Sequence, residues 1–374
     1  MADVQITIIG AGVIGLAVAS HLSDFHDSIV VIERNRRFGE ETSSRNSEVI
    51  HSGIYYPQGS LKASLCVEGR NMLYKLCDNE KIPHRKCGKL IIASSEEEVE
   101  QLSVLNKKAQ NNGVHDLEFV DEEEIKRLEP NIKGIKGLYS PSTGIIDSHS
   151  LMKHFENRCK RRGVDFVYQS EVTGIRLAED DYHITTTDPT GENFSFNSSV
   201  VINSAGLESN KIAQMLGIND PAYQIHFCKG EYFSVTPPKS SLVNRLVYPV
   251  PISKLVGLGV HATVDLGGGL RLGPNATYMD ENIYDYSVDE SNKRSFLESA
   301  IRFMPFLELD DLNPDYAGIR PKIQGPGESV KDFIIRNEKA KGYENFINLI
   351  GIESPGLTAS LAIAKYVGEL IETP

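Results

Sequence analysis

Two glycine-rich turns at opposite ends of the chain constrain the fold most. Residues 6–33 read ITIIGAGVIGLAVASHLSDFHDSIVVIE, and residues 346–358 read FINLIGIESPGLT. The first segment is an apolar strand, a GxGxxG turn at Gly10, Gly12 and Gly15, a small-residue helix over Val13–Leu22 and a second buried strand over Ile29–Ile32. That order is the opening βαβ unit of a doubly wound sheet. Gly10 permits the tight turn, Gly12 lets a pyrophosphate approach the backbone, and Gly15 lets the helix pack on the strand. The helix N-terminus supplies amide donors and a positive dipole end. The backbone from Gly10 through Ala11, Gly12, Val13 and Ile14 to Gly15 is therefore the candidate cradle for a dinucleotide. Glu33 closes the next strand and can accept from both ribose hydroxyls. Arg34 beside it is expected in solvent or near an adenine.

The fingerprint alone does not separate NAD from FAD. The polar run ETSSRNSEVIHSG at residues 41–53 favours the longer FAD. Ser43 and Ser44 are candidates for phosphate or ribose, and Asn46 and Ser47 for the flavin side. The bland alternative is a capped loop.

The chain has 374 residues, enough for two domains. Formal net charge is -12, and the short basic runs at Arg34–Arg37 and Lys160–Arg162 do not make a nucleic-acid groove. The five cysteines, Cys66, Cys77, Cys87, Cys159 and Cys228, are scattered without CxxC spacing, which suits a reducing compartment. No apolar run is long enough to span a bilayer, and no signal-like segment precedes the first strand. A cytoplasmic protein is expected, with peripheral membrane contact left open. There is no HExxH metal motif, and His149 and His154 do not share a helical face.

Strand patterns are predicted at residues 89–93, 165–168, 199–202, 332–335 and 346–350. Helices are predicted over residues 62–79, 96–111, 148–163, 289–301 and 357–370. Asp121 is expected to cap a further helix, and a serine to cap the one beginning at Ser148. From Tyr223 to about Gly273 the texture changes to short strands, aromatics and glycines, including KLVGLGVHATV at residues 254–264. That reads as an antiparallel sheet of a second domain. YAGIRP at residues 316–321 is expected to be a loop or strand leading back to the first domain.

With these residues in view, the chain resembles the D-amino-acid-oxidase-like superfamily of FAD-dependent oxidoreductases, and most closely its L-2-hydroxyglutarate dehydrogenase/oxidase group. The segments that carry the resemblance include SSRNSEVIHSGIYYPQGSLKASLCVEG, IPHRKCGKLIIA, NSAG, KGEYF, YPVP, YAGIRPK and GIESPGLTASLAIA. They run in order along nearly the whole length. The implied fold is α/β: a Rossmann-like FAD-binding domain with a discontinuous α+β substrate domain containing a mixed, largely antiparallel sheet. The expected division gives residues 1–85, 145–220 and 316–374 to the FAD-binding domain and residues 86–144 and 221–315 to the substrate domain. The implied activity is oxidation of an L-2-hydroxy acid, L-2-hydroxyglutarate, to 2-oxoglutarate. Electrons would pass to oxygen or to a membrane quinone pool. The alternative is an amine oxidase for glycine, sarcosine or a related amino acid, on the same fold.

Such chemistry needs a base at the hydroxyl and cations for the carboxylates. His51, which the resemblance sets beside the flavin, is the candidate base, since a neutral imidazole suits proton removal near pH 7. Its alternative role is to hold flavin or substrate while another group takes the proton. Arg320 in GIRP is the candidate carboxylate clamp, because its planar fork matches a carboxylate. The bland reading is an arginine fixing the domain interface or the flavin carbonyl. Lys229 stands where the group often has arginine, and is the candidate for a distal carboxylate. Tyr56, Lys89, Tyr248 and His261 are further pocket candidates, each with an equal claim to packing or solvent. Gly351, Pro355, Gly356, Leu357 and Thr358 form a strand-to-helix turn whose amides suit flavin N1 and the C2 carbonyl. Asn203, Ala205 and Gly206 are assigned to a cofactor loop, and Val172 to backbone contacts with adenine.

Overall fold

The computed structural model describes residues 2–251, 259–280 and 283–372. Its helices, in chain order, are α1 (Val13–Leu22), α2 (Leu61–Glu80), α3 (Glu96–Asn111), α4 (Glu122–Leu128), α5 (Ser148–Arg161), α6 (Ser209–Met215), α7 (Lys293–Ala300) and α8 (Gly356–Glu372).

The first sheet has a parallel centre. Val4–Ile9 pairs in parallel with Ile29–Glu33 on one side and with Asn193–Asn203 on the other. Asp165–Tyr168 continues the sheet beyond Ile29–Glu33, and Tyr343–Ile350 pairs in parallel with Asn193–Asn203. The hairpin Glu171–Ala178 and Asp181–Thr187, and the strand Ile334–Glu338, are added antiparallel. Central strands read as near-continuous apolar runs because both faces are covered. Ile6, Ile8, Val31, Ile202 and Ile347 pack toward α1, α2, α5 and α8. Ile9, Ile32, Val201 and Phe346 fill the opposite face beside α6. Each such side chain contributes about 1.5–3 kcal/mol by leaving water.

The glycine turn is crowded. Gly10 has φ +99°, and a Cβ on Gly15 would stand 2.0 Å from the Gly10 carbonyl oxygen and 2.7 Å from Ser204 Oγ. Gly15→Ala must therefore push α1 off the strand at a cost of about 1–3 kcal/mol. The expected outcome is a lower melting temperature and a loss of flavin from the purified protein, read from its visible absorbance.

The second sheet has nine strands and is mixed. Only Lys89–Ala93 and Leu246–Pro249 pair in parallel; the other described pairings in it are antiparallel. A small sheet of Val49–Ile50, Gly144–Ile146 and His84–Arg85 joins the two large ones.

Two expectations are corrected, and a third falls partly outside the described residues. The YAGIRP segment lies inside the strand Leu312–Lys322, which pairs with His226–Val235 in the second sheet. The chain therefore returns to the first sheet after Lys322, not before Tyr316. Helix α5 is capped by Asp147, whose carboxylate accepts from the Ser150 N–H, not by a serine. Within KLVGLGVHATV, the strand is His261–Val264, and Lys254–Leu258 lie outside the described residues. Asp121 does cap α4, accepting from the Glu124 N–H.

Candidate active site

One cavity of about 1110 Å³ is lined by residues of both large sheets. Gly10, Gly12, Glu33 and Arg34 line it at the glycine turn, and Pro355, Gly356 and Leu357 line it where α8 begins. Two helix N-termini therefore open on the same space, and their first-turn amides have no partner within the helix. The volume exceeds that of an ordinary small-ligand pocket, as a dinucleotide together with a substrate requires.

Glu33 is fixed in this wall. Its Oε2 accepts from the Ala11 N–H at 2.8 Å and its Oε1 from the Asn35 N–H at 2.9 Å. Burial raises its pKa, opposed by those amides. Arg34 lines the cavity partly exposed, and its guanidinium is paired within the protein. Its guanidinium donates to Glu41 Oε1 from Nε at 2.9 Å and from Nη2 at 2.6 Å, and to the Tyr284 hydroxyl. Ser43 Oγ accepts from the Val13 N–H at the first turn of α1.

Asn46, Ser47, Val172, Ala205 and Gly206 also line the cavity. Ala11, Gly15, Ser44, Asn203, Gly351 and Thr358 are not among its lining residues. Ser44 Oγ donates to the Glu41 carbonyl, a turn contact. Buried Asn203 donates to Asn348 Oδ1 and the Ser209 carbonyl, tying two parallel strands to α6.

His51 follows the short strand Val49–Ile50 and lines the cavity. Thr358 locks its backbone: the His51 N–H donates to Thr358 Oγ1 at 3.0 Å, and that hydroxyl donates to the Val49 carbonyl. His51 Nε2 lies 3.3 Å from Ser354 Oγ, while buried Nδ1 has no hydrogen-bond partner among the described residues. Burial, then the Lys89 ammonium and His261, push the imidazole pKa well below its ordinary value. His51 is thus neutral at pH 7.

Arg320 lies on the strand Leu312–Lys322 and faces the cavity. Its Nη2 donates to the Asn275 carbonyl at 2.5 Å, and more weakly to that of Lys229 at 3.4 Å. Its Nε and Nη1 bond no protein group among the described residues, leaving an edge for an anion. A Cβ on Gly230 would stand 2.6 Å from Arg320 Nη2, so the guanidinium needs the bare glycine.

Lys229 does not join it. Side chains alternate along a strand, so Gly230 and Tyr232 face the cavity while Lys229 and Glu231 face away. Lys229 Nζ is paired with Asp285 at 2.7 Å. Lys89 lies behind the wall, fully buried, with no hydrogen-bond partner for Nζ among the described residues. Its Nζ sits 4.1 Å from the Tyr248 ring centroid, and burial pulls its pKa down to about 7. Tyr56, Tyr248 and His261 do line the cavity. The His261 ring stacks on Tyr248 at 3.7 Å, and burial holds His261 neutral with a pKa of about 3.

Sequence reading missed a charged cluster on the same cavity. Glu353 takes Lys62 Nζ and Lys322 Nζ, each at 3.0 Å, and all three are nearly buried. Burial would raise the Glu353 pKa, but Lys62, Lys322 and Arg320 hold it at about 2. Strand alternation was the available signal, because Lys322 is two residues beyond Arg320 and on the same face.

The residues fit the cofactor that the sequence implies. The glycine cradle lines the cavity, Glu33 ends its strand at the same wall, and the α8 N-terminus opens on that space beside the first turn of α1, where a Cβ on Gly356 would stand 3.8 Å from Ile14 Cδ1.

Residues 5–370 match the family model described as FAD dependent oxidoreductase. The chain is 38% identical to an Arabidopsis thaliana protein named L-2-hydroxyglutarate dehydrogenase, mitochondrial, covering 97% of this chain and 82% of that protein. It is 28% identical to the L-α-glycerophosphate oxidase of Mycoplasma pneumoniae, solved with FAD bound, at a TM-score of 0.87 over 100% of this chain and 96% of that one. Glycine oxidase from Bacillus cereus is similar in fold, with a TM-score of 0.79 and 22% identity over 99% of this chain and 97% of that one.

Proposed function

The chain belongs to the family of FAD-dependent oxidoreductases, and we propose that it oxidises the hydroxyl of L-2-hydroxyglutarate to give 2-oxoglutarate. The observation that carries this reading is His51 and Arg320 on one cavity, in a chain whose near full-length relative bears that enzyme name. Bound FAD supplies the acceptor for the hydride that leaves the substrate carbon. The protein's own groups do the rest. Arg320 offers Nε and Nη1 to the carboxylate next to the hydroxyl, which fixes the carbon that reacts. His51 is neutral, with Nε2 beside Ser354 and Nδ1 without a partner among the described residues, and accepts the hydroxyl proton. The rings of Tyr56, Tyr248 and His261 line the cavity around the reacting groups. The final electron acceptor in this reading is oxygen or a membrane quinone pool. Among the described residues no helix is long and apolar enough to cross a membrane.

An amine oxidase reading draws only on likeness of fold, as with glycine oxidase. Anaerobic reduction of the purified yellow protein separates the readings. The panel is L-2-hydroxyglutarate, its D-form, lactate, malate, glycerol 3-phosphate, glycine and sarcosine. Stereospecific bleaching by the first is expected. Faster bleaching by glycerol 3-phosphate or by an amine would overturn the assignment.

A further inference from the structure

With Lys229 turned away from the cavity, a second carboxylate needs another cation. We propose that Lys62 and Lys322, clipped together by Glu353, form the seat for the distal carboxylate of a dicarboxylate 2-hydroxy acid. The inference rests on the reading of the substrate as such an acid.

Geometry supports it first. Arg320 and Lys322 sit two residues apart on one strand, so both point to the same face with Cα atoms roughly 6.6 Å apart. The terminal carbons of an extended five-carbon diacid are roughly 5 Å apart by bond lengths. One end on Arg320 therefore sets the other near Lys322. Lys62 reaches the same point from the first turn of α2, fixed because the Leu61 and Lys62 N–H groups donate to Asp332.

Charge supports it next. A structural ion pair needs one lysine per carboxylate, yet Glu353 holds two. Within this cluster Arg320, Lys62 and Lys322 stand against Glu353 alone, a local excess of two positive charges that matches a dianion. Each ammonium has three donors. Lys62 Nζ spends one on Glu353 and otherwise lies 5.2 Å from the Phe333 ring centroid, so donors remain for a ligand. Uncompensated charge of this kind is costly in a buried site unless an anion arrives.

The test compares L-2-hydroxyglutarate with L-2-hydroxyvalerate, which has a methyl in place of the distal carboxylate, in anaerobic reduction of the holoenzyme. Lys322→Met leaves Glu353 paired with Lys62. It should raise the half-saturating concentration of L-2-hydroxyglutarate roughly 10–100-fold, the loss of one charged hydrogen bond. It should leave that of L-2-hydroxyvalerate unchanged. Lys322→Arg should keep the preference. Glu353→Gln should strengthen L-2-hydroxyglutarate binding by freeing both ammonium groups. Equal weakening of both substrates in Lys322→Met would overturn the seat and point to a role in structure or toward the flavin. If Lys322→Met purifies without flavin, Glu353→Gln decides, and unchanged or weaker L-2-hydroxyglutarate binding overturns the seat. A wild-type flavin that L-2-hydroxyglutarate does not bleach removes the premise and the seat together. Bleaching of wild type with an unchanged preference in Lys322→Met removes the seat alone.

Discussion

His51→Asn is expected to keep a full complement of FAD and to lose roughly 10²–10⁴-fold in the rate of anaerobic flavin reduction, the usual contribution of a positioned base. The occupancy should survive because His51 is held by backbone, through the Thr358 hydroxyl and Val49, not by its ring. The ring is the part removed, and its only described partner is Ser354 Oγ. Unchanged reduction would sink the assignment of His51 as base. A fall in rate matched by a fall in flavin content would instead make His51 a support for the cofactor.

The same residue sets the acid limb of the pH profile. Burial, Lys89 and His261 all hold the imidazole pKa down, so its protonation, which abolishes a base, falls below the ordinary histidine range. The reduction rate should therefore stay flat through pH 6.5 and fall only in more acid solution. Lys89→Met removes the neighbouring cation, so the His51 pKa rises and the limb moves to higher pH. An acid limb that stays in place in Lys89→Met would show that Lys89 is electrostatically remote from the base.

Much of this site was legible because local chemistry dictated it. Gly10, Gly12 and Gly15 can be read from spacing alone, since no side chain fits between Gly10 and α1. The parallel strands were readable because burial on both faces leaves unbroken apolar runs. Lys229 was misjudged for a physical reason. A strand's phase is invisible when both faces are buried, and a slip of one residue exchanges the faces. The strand His226–Val235 is buried almost throughout, so its pattern gave no sign that Gly230, and not Lys229, meets the cavity. The Lys62–Glu353–Lys322 cluster joins residues 291 positions apart, a contact that only the folded topology creates. The strand Leu312–Lys322 looked like a connector because its first half, LNPDY, is polar and holds a proline. Its pairing to His226–Val235 supplies what the pattern lacked.

Arg320 should show the second large effect, and its signature differs from that of His51. The guanidinium is held on one side by the Asn275 carbonyl, which leaves Nε and Nη1 for a carboxylate. Two charge-assisted bonds of about 1.5–3 kcal/mol each are at stake. Arg320→Met should raise the half-saturating concentration of L-2-hydroxyglutarate roughly 10²–10⁴-fold on that energy scale. Because L-2-hydroxyvalerate keeps the same proximal carboxylate, it should weaken as much, unlike in Lys322→Met. Arg320→Lys keeps the charge without the fork, so its loss should be intermediate. Gly230→Ala probes the same clamp without touching its charge. Its new Cβ would stand 2.6 Å from Nη2, so the guanidinium must swing away from the Asn275 carbonyl. That variant should weaken both hydroxy acids together while leaving the flavin bound. If Arg320→Met instead lost flavin and left substrate binding intact in what remained, the arginine would belong to the cofactor and the proximal clamp would have to be sought elsewhere on the cavity.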